Sequence, residues 1–206
     1  MECEVYSEKK GDPMVYTPKI LAFAGSLREA SYNKKLVHIA AEGARKAGAE
    51  VTLVDLRDYQ APIYDGDLES RNGLPETVLR FKELMLAHQG LLVSAPEYNS
   101  SITAVLKNTI DWVSRPSQGE ASLACFDGKV TALMSASPGA LGGLRGLTHV
   151  RAILGSIRVL VLPDQIAVPN ANEAFQEDGS LKDGRRQVSV EELGVKVTMM
   201  LAKLYG

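Results

Sequence analysis

Residues 20–33 read ILAFAGSLREASYN, and they hold the chain's clearest chemistry. An apolar run stops at Gly25, and Ser26, Arg28, Ser31 and Asn33 follow it within eight positions. A helical pattern begins where they end. A tight loop feeding a helix start suits an anion, because the first-turn N–H groups lack partners and the helix dipole turns its positive end there. Hydroxyl and amide side chains add neutral hydrogen bonds, and Arg28 adds a charged fork. The stretch reads as a phosphate cradle. It is neither of the two glycine-rich phosphate motifs: Gly25 is its only glycine where G-x-G-x-x-G needs three, and no G-x-x-x-x-G-K-[ST] occurs. Ser31 suits a helix N-cap, but Lys34 occupies the position where a capping box has Glu or Gln, so its hydroxyl is not committed to that reciprocal pair. The plain alternative is an ordinary strand-to-helix turn with a serine cap.

Such a loop works only if strands and helices present it. The run at 20–24 reads as a buried strand and residues 33–48 as a helix, with Leu36, Val37, Ile39, Ala40, Ala44 and Ala47 on one face and Gly48 as its stop. Residues 50–56 alternate like a second strand. Residues 57–74 are loop-like, and a helix covers about 75–87, with Pro75 suited to its first turn. Residues 90–95 form a third strand, 96–101 a polar loop and 102–114 a helix. Residues 129–136 form a fourth strand, 142–154 a helix and 157–162 a fifth strand. Residues 163–184 are irregular, and a last helix covers about 187–204. Strands alternating with helices imply a doubly wound α/β fold, a five-stranded parallel sheet covered on both faces. The two common strand orders both place ligands beyond the carboxyl ends of the strands, at the switch point. Site residues are therefore expected just after strands one, three and four.

Unusual residues stand at those three places. Pro96, Glu97, Tyr98 and Asn99 follow strand three, offering an aromatic ring and an amide. Ser137, Pro138, Gly139, Ala140, Leu141, Gly142 and Gly143 follow strand four, where glycine lets backbone approach a flat ligand. A phosphate joined to a planar ring needs this combination. Flavin mononucleotide (FMN) fits it, and the sheet order 2-1-3-4-5 has its FMN site between strands one and three.

Composition narrows the function classes. The chain has 206 residues, 45% hydrophobic, with a formal net charge of -2. The length fits a single domain over 19–206, preceded by an arm at 1–18 that is expected to be flexible or loosely docked. The near-neutral charge gives no reason to expect nucleic acid or an anionic membrane as partner, and no uncharged apolar run reaches 18 residues. Cys3 and Cys125 are too few for a disulfide framework, so a cytoplasmic setting is expected. No Cys/His cluster marks a metal site, and His38, His88 and His149 are scattered.

Taken together, G-S-L-R-x-x-S-x-N, P-E-Y-N-x-S followed by L-K-N-x-I-D-W, and S-P-G-x-x-G-G resemble the NAD(P)H-dependent FMN reductase family, flavodoxin-like flavin, quinone, azo and chromate reductases. The resemblance runs from residue 19 onward and includes the 175–181 stretch FQEDGSL. It implies that Ser26, Arg28, Ser31 and Asn33 surround the FMN phosphate. Pro96, Glu97, Tyr98 and Asn99 would line the isoalloxazine, and Ser137, Gly139, Gly142 and Gly143 would close its other side. It also implies NADPH or NADH as electron donor, a small-molecule acceptor and a homodimer or homotetramer, with the helix carrying Ile110 and Trp112 as the candidate contact. Tyr98 has a core alternative, Glu97 a neighbouring subunit as alternative target, and Arg145 reads as a solvated helix position or an anion ligand. No residue is assigned as catalytic, because hydride transfer to a flavin needs positioning rather than a protein acid. Competing classes are a flavodoxin-type electron carrier and a flavin-dependent redox sensor. Arg28 and the modest net charge favour the enzyme over the carrier.

Overall fold

The computed structural model describes residues 16–206. Most of the expected arm, and Cys3 with it, lies outside the described residues. Where the description begins, Tyr16 packs its ring against Tyr205 at 5.9 Å and Pro18 is buried, its carbonyl accepting from Glu50 N.

Five parallel strands form the sheet in the order β2-β1-β3-β6-β7: β1 Lys19–Ala24, β2 Glu50–Val54, β3 Gly90–Ser94, β6 Val130–Ala136 and β7 Leu160–Val168. This is the 2-1-3-4-5 order expected. The central strands are apolar throughout because both faces are covered. In β1, Ile20, Ala22 and Ala24 enter one core while Leu21 and Phe23 enter the other. Helices α1 (Tyr32–Lys46) and α7 (Gly184–Tyr205) cover the first core; α3 (Glu76–Ala87), α4 (Ala104–Val113) and α5 (Leu144–Ser156) cover the second. The two helices of the first layer approach to backbone contact. A Cβ on Gly43 would stand 2.0 Å from Glu191 O, and one on Gly194 2.0 Å from Ala40 O. That contact fixes the angle at which α1 presents its N-terminus.

Three segments depart from the sequence expectations, each for a local reason. The 57–74 stretch contains a 3₁₀ turn at Leu56–Tyr59 and a short helix α2 at Gly66–Asn72. Helix α2 buries no residue, so no apolar period betrays it; caps hold it instead, the Asp65 side chain accepting from Asp67 N and Gly73 ending it at φ +70°. The 96–101 loop is a miniature antiparallel hairpin, β4 Glu97–Tyr98 against β5 Ser101–Ile102. The fifth strand starts three residues later than expected and continues through Pro163 to Val168. Its register slips between Thr131 and Leu133, and an edge strand tolerates proline at such a bulge. A four-residue helix, α6 Ala171–Ala174, follows. Phe175 then bridges to Leu181 and stacks on Tyr32 at 5.8 Å, which ties the last loop to the start of α1.

The expected contact helix turns its named residues inward. Trp112 is fully buried, donating Nε1–H to Pro62 O at 2.7 Å, and Ile110 is buried too. These two side chains belong to the core of the chain, so they offer nothing to a second copy. His88 is buried between Leu84 O and Thr52 Oγ1 at the opposite end of the sheet, a structural histidine, while His38 and His149 are exposed. Among the described residues no helix is long and apolar enough to cross a membrane, and no group of three or more His, Cys, Asp or Glu could hold a metal.

Candidate functional site

Parallel pairing aligns Ala24, Ser94 and Met134 across β1, β3 and β6, so the three singled-out loops leave one edge of the sheet side by side. Backbone bonds fasten them there: Gly25 N donates to Ser94 O, Ala95 N to Met134 O and Ser137 N to Val168 O.

The first loop keeps its polar groups available. Ser31 takes the N-cap position of α1 with extended backbone (φ -80°, ψ 125°), yet its hydroxyl caps nothing. Ser26 Oγ accepts from Arg28 N at 3.2 Å, which leaves its O–H free to donate. Both serines are buried, and the Arg28 side chain is exposed with no hydrogen-bond or ion-pair partner among the described residues. Two hydroxyls, a guanidinium and a helix start without a side-chain cap form a cluster of donors that no side-chain acceptor among the described residues satisfies. A phosphate monoester supplies the missing acceptors. An apolar cavity of about 190 Å³ adjoins this loop through Leu27, lined by Ile63, Val105 and Trp112 among others. No Lys, Arg or His lines it, so the cradle itself is the phosphate candidate.

Asn33 has a different job from the one expected. Its Nδ2 donates to Ala136 O at 2.8 Å, and its Oδ1 accepts from Ser94 Oγ at 2.9 Å and from Ala136 N at 3.0 Å. The carboxamide is spent tying the start of α1 to the ends of β3 and β6. It holds the cradle in place instead of lining it.

The second and third loops are joined into one wall. The turn of the hairpin is Asn99–Ser100, both left-handed at φ 50° and 66°, the two-residue geometry that suits right-twisted strands. The serine there costs about 1 kcal/mol relative to glycine. This turn presents Tyr98 at 54% exposure, which removes the core alternative and leaves a ring free to stack. Pro96 is buried and Asn99 exposed. Glu97 points the other way. Its Oε1 accepts from Arg145 Nε at 2.8 Å and Nη2 at 2.5 Å, and its Oε2 accepts from Gly146 N at 3.1 Å. The N-cap of α5 is Gly143, which has no side chain to cap with; Glu97 supplies that cap from another loop. Freed from capping, Gly142 and Gly143 adopt φ 62° and 91° and press onto the sheet. A Cβ on Gly143 would lie 1.9 Å from Ser135 Oγ, itself a buried hydroxyl without a partner. Ser137 accepts from Gly139 N at 3.2 Å, and Gly139 faces open space beyond it.

Two residues missed in the sequence complete the frame. Thr103 caps α4 through Leu106 N and donates to Gly25 O at 2.7 Å, bonding the first loop to the second. A threonine just before a helical run was the available signal. Ser94, the last residue of β3, holds Asn33; nothing in the sequence marks it.

Acid should loosen this wall in a defined window. Burial alone pushes the Glu97 carboxyl up, but the Arg145 guanidinium and the Gly146 amide outweigh it and hold the group below its ordinary 4.5. Asp55, at the end of β2, is likewise raised by burial but brought down to about 2 by Lys34 and Arg57. Depressed carboxyls contribute stability that is fully present above their unfolded values and lost as pH falls through the folded ones. Urea stability should therefore drop as pH goes from about 4.5 toward 2. Glu97→Gln should make that drop shallower; an unchanged acid slope would contradict the capping role.

The profile of a family described as NADPH-dependent FMN reductase matches residues 18–173. The chain is 33% identical over 189 residues to an NAD(P)H-dependent FMN reductase of Pseudomonas aeruginosa, covering 91% of this chain and 97% of that protein. It is 37% identical over 193 residues to an NAD(P)H:quinone oxidoreductase of Solanum tuberosum, covering 91% and 95%. Among solved structures, the flavoenzyme NAD(P)H:(acceptor) oxidoreductase FerB of Paracoccus denitrificans superposes with a TM-score of 0.75 at 26% identity, over 91% of this chain and 98% of that one. With three motif-bearing loops on a flavodoxin-like sheet and a family match across most of its length, the chain belongs to the NADPH-dependent FMN reductase family.

Proposed function

We propose that this protein is an FMN-dependent NAD(P)H oxidoreductase that passes reducing equivalents to small-molecule acceptors of the flavin and quinone kind. The observation that carries this reading is the donor set of the first loop, unsatisfied among the described residues: the Ser26 and Ser31 hydroxyls and the Arg28 guanidinium at the start of α1. It fits a phosphate monoester, which FMN has and riboflavin lacks. The names of the relatives point to the same cofactor and to nicotinamide donors.

FMN held here would supply the redox chemistry, as a two-electron carrier between a nicotinamide donor and a second substrate. Everything else falls to positioning. Ser26, Arg28 and Ser31 would hold the phosphate, and Asn33 and Thr103 fasten the loop that carries them. The Tyr98 hairpin forms one wall of the ring's slot, and the Gly142–Gly143 turn lets backbone close the other. No side chain has to move a proton during hydride transfer. Donor and acceptor are expected to use the same open face in turn, giving ping-pong kinetics.

Titration with FMN and with riboflavin tests the phosphate assignment. The Arg28 side chain makes no hydrogen bond or ion pair among the described residues, and Arg28→Ala keeps the backbone N–H that Ser26 accepts, so folding should be unchanged. It should weaken FMN binding about 10- to 100-fold, the worth of a charge-assisted hydrogen bond or two, and leave riboflavin binding as it was. Equal losses for both ligands, or none, would remove the cradle from the account. A steady-state screen of NADPH and NADH against flavin and quinone acceptors assigns the substrates.

A further inference from the structure

We propose that the Glu97–Arg145 pair sets the reduction potential of the flavin by keeping the start of α5 electrically neutral, an inference that rests on the FMN reading above. The pair stands where the second and third loops meet. Glu97, with its side chain 7% exposed, accepts from Gly146 N in the first turn of α5 and from two nitrogens of Arg145. Helix α5 has 13 residues, and its positive end points toward the loop that closes over the ring. Left alone, that end would favour the reduced cofactor. Two-electron reduction by hydride adds two electrons and one proton, so the reduced flavin carries one more negative charge than the oxidised form. Glu97, almost fully buried, offsets the helix's positive end, and Arg145, 56% exposed and so partly screened by water, offsets only the remainder of the Glu97 charge. The sum leaves the flavin neither over-stabilised when reduced, which would slow its reoxidation by an acceptor, nor too hard to reduce.

A purely mechanical role for the pair and an electrical one make different predictions. Glu97→Gln and Arg145→Met break the same salt bridge, so a mechanical role moves the potential in one direction for both. An electrical role moves it in opposite directions. Glu97→Gln removes a negative charge and leaves both the helix end and the guanidinium uncompensated, so the potential should rise. Arg145→Met leaves the Glu97 carboxylate on Gly146 N without its counter-charge, so the potential should fall. The double variant should return toward the parent value despite having no salt bridge at all.

The measurement is the dissociation constant of the full-length protein for oxidised FMN and, under anaerobic conditions, for reduced FMN; their ratio gives the shift in potential even where a variant binds both more weakly. The ratio should change roughly two- to fivefold in opposite directions for the single variants, the factor a charge at a helix terminus is worth. Shifts of the same sign, or an unchanged ratio in either single variant, would overturn the inference while leaving the FMN reading intact. A parent protein that binds neither form of FMN would overturn that reading, and the inference with it.

Discussion

Asn33→Ala should cost about 3–5 kcal/mol of folding stability and abolish stable flavin retention. The substitution strands three buried groups at once, the Ser94 hydroxyl and both the N–H and the C=O of Ala136. Each buried polar group left without a partner costs about 1–3 kcal/mol, partly recovered where water enters. The position is 4% exposed, so little water can reach it. Because Asn33 lies in the first turn of α1, its loss should also let the cradle drift from the ends of β3 and β6. Urea denaturation with a matched FMN titration reads both effects. A loss below about 1 kcal/mol would mean that the carboxamide network is dispensable.

Gly142→Ala should be nearly as damaging, for a steric reason. The residue sits at φ +62°, which costs an L side chain about 1–2 kcal/mol. Its Cβ would also meet Val168 C and Pro169 N at 2.6 Å and Val168 N at 2.8 Å. Those are backbone atoms at the end of β7 and cannot rotate away. Strain and overpacking together should remove about 2–4 kcal/mol and displace the turn that closes the flavin slot. Gly139→Ala is the control within the same loop: its Cβ would meet only Ser137 Oγ at 3.6 Å, so stability should change by no more than about 0.5 kcal/mol. Similar losses for both variants, measured by thermal or urea unfolding, would contradict the assignment of the strain to Gly142.

The central strands were legible because burial on both faces writes itself as uninterrupted apolar runs, as in Ile20–Ala24, whereas their order came from the FMN reading of the loops and the family resemblance. The location of the site was legible too, since a doubly wound sheet exposes only the carboxyl ends of its strands near the switch point. What residue type cannot reveal is direction. Asn33 has the right chemistry for a phosphate, but α1 turns it down onto the sheet. Glu97 lies in a loop expected to line the ring, yet its carboxylate serves a helix 48 positions away, a pairing no local pattern encodes. Ile110 and Trp112 are large apolar residues of one amphipathic helix, which read equally as core or contact until the packing partner, here Pro62 and its loop, is known. Short elements escaped for a related reason: α2 and the β4–β5 hairpin are held by caps and turn geometry, with too few buried side chains to create a period.

The central claim is that the first strand-to-helix loop holds a phosphate while the next two loops enclose the ring attached to it. A crystal structure of the protein grown with saturating FMN tests it most directly. The account predicts the phosphate within hydrogen-bond reach of Ser26 Oγ, Ser31 Oγ and the Arg28 guanidinium, with the isoalloxazine between the Tyr98 hairpin and the Gly142–Gly143 turn. An empty crevice at full saturation, or FMN seated with its phosphate on other residues, would contradict it.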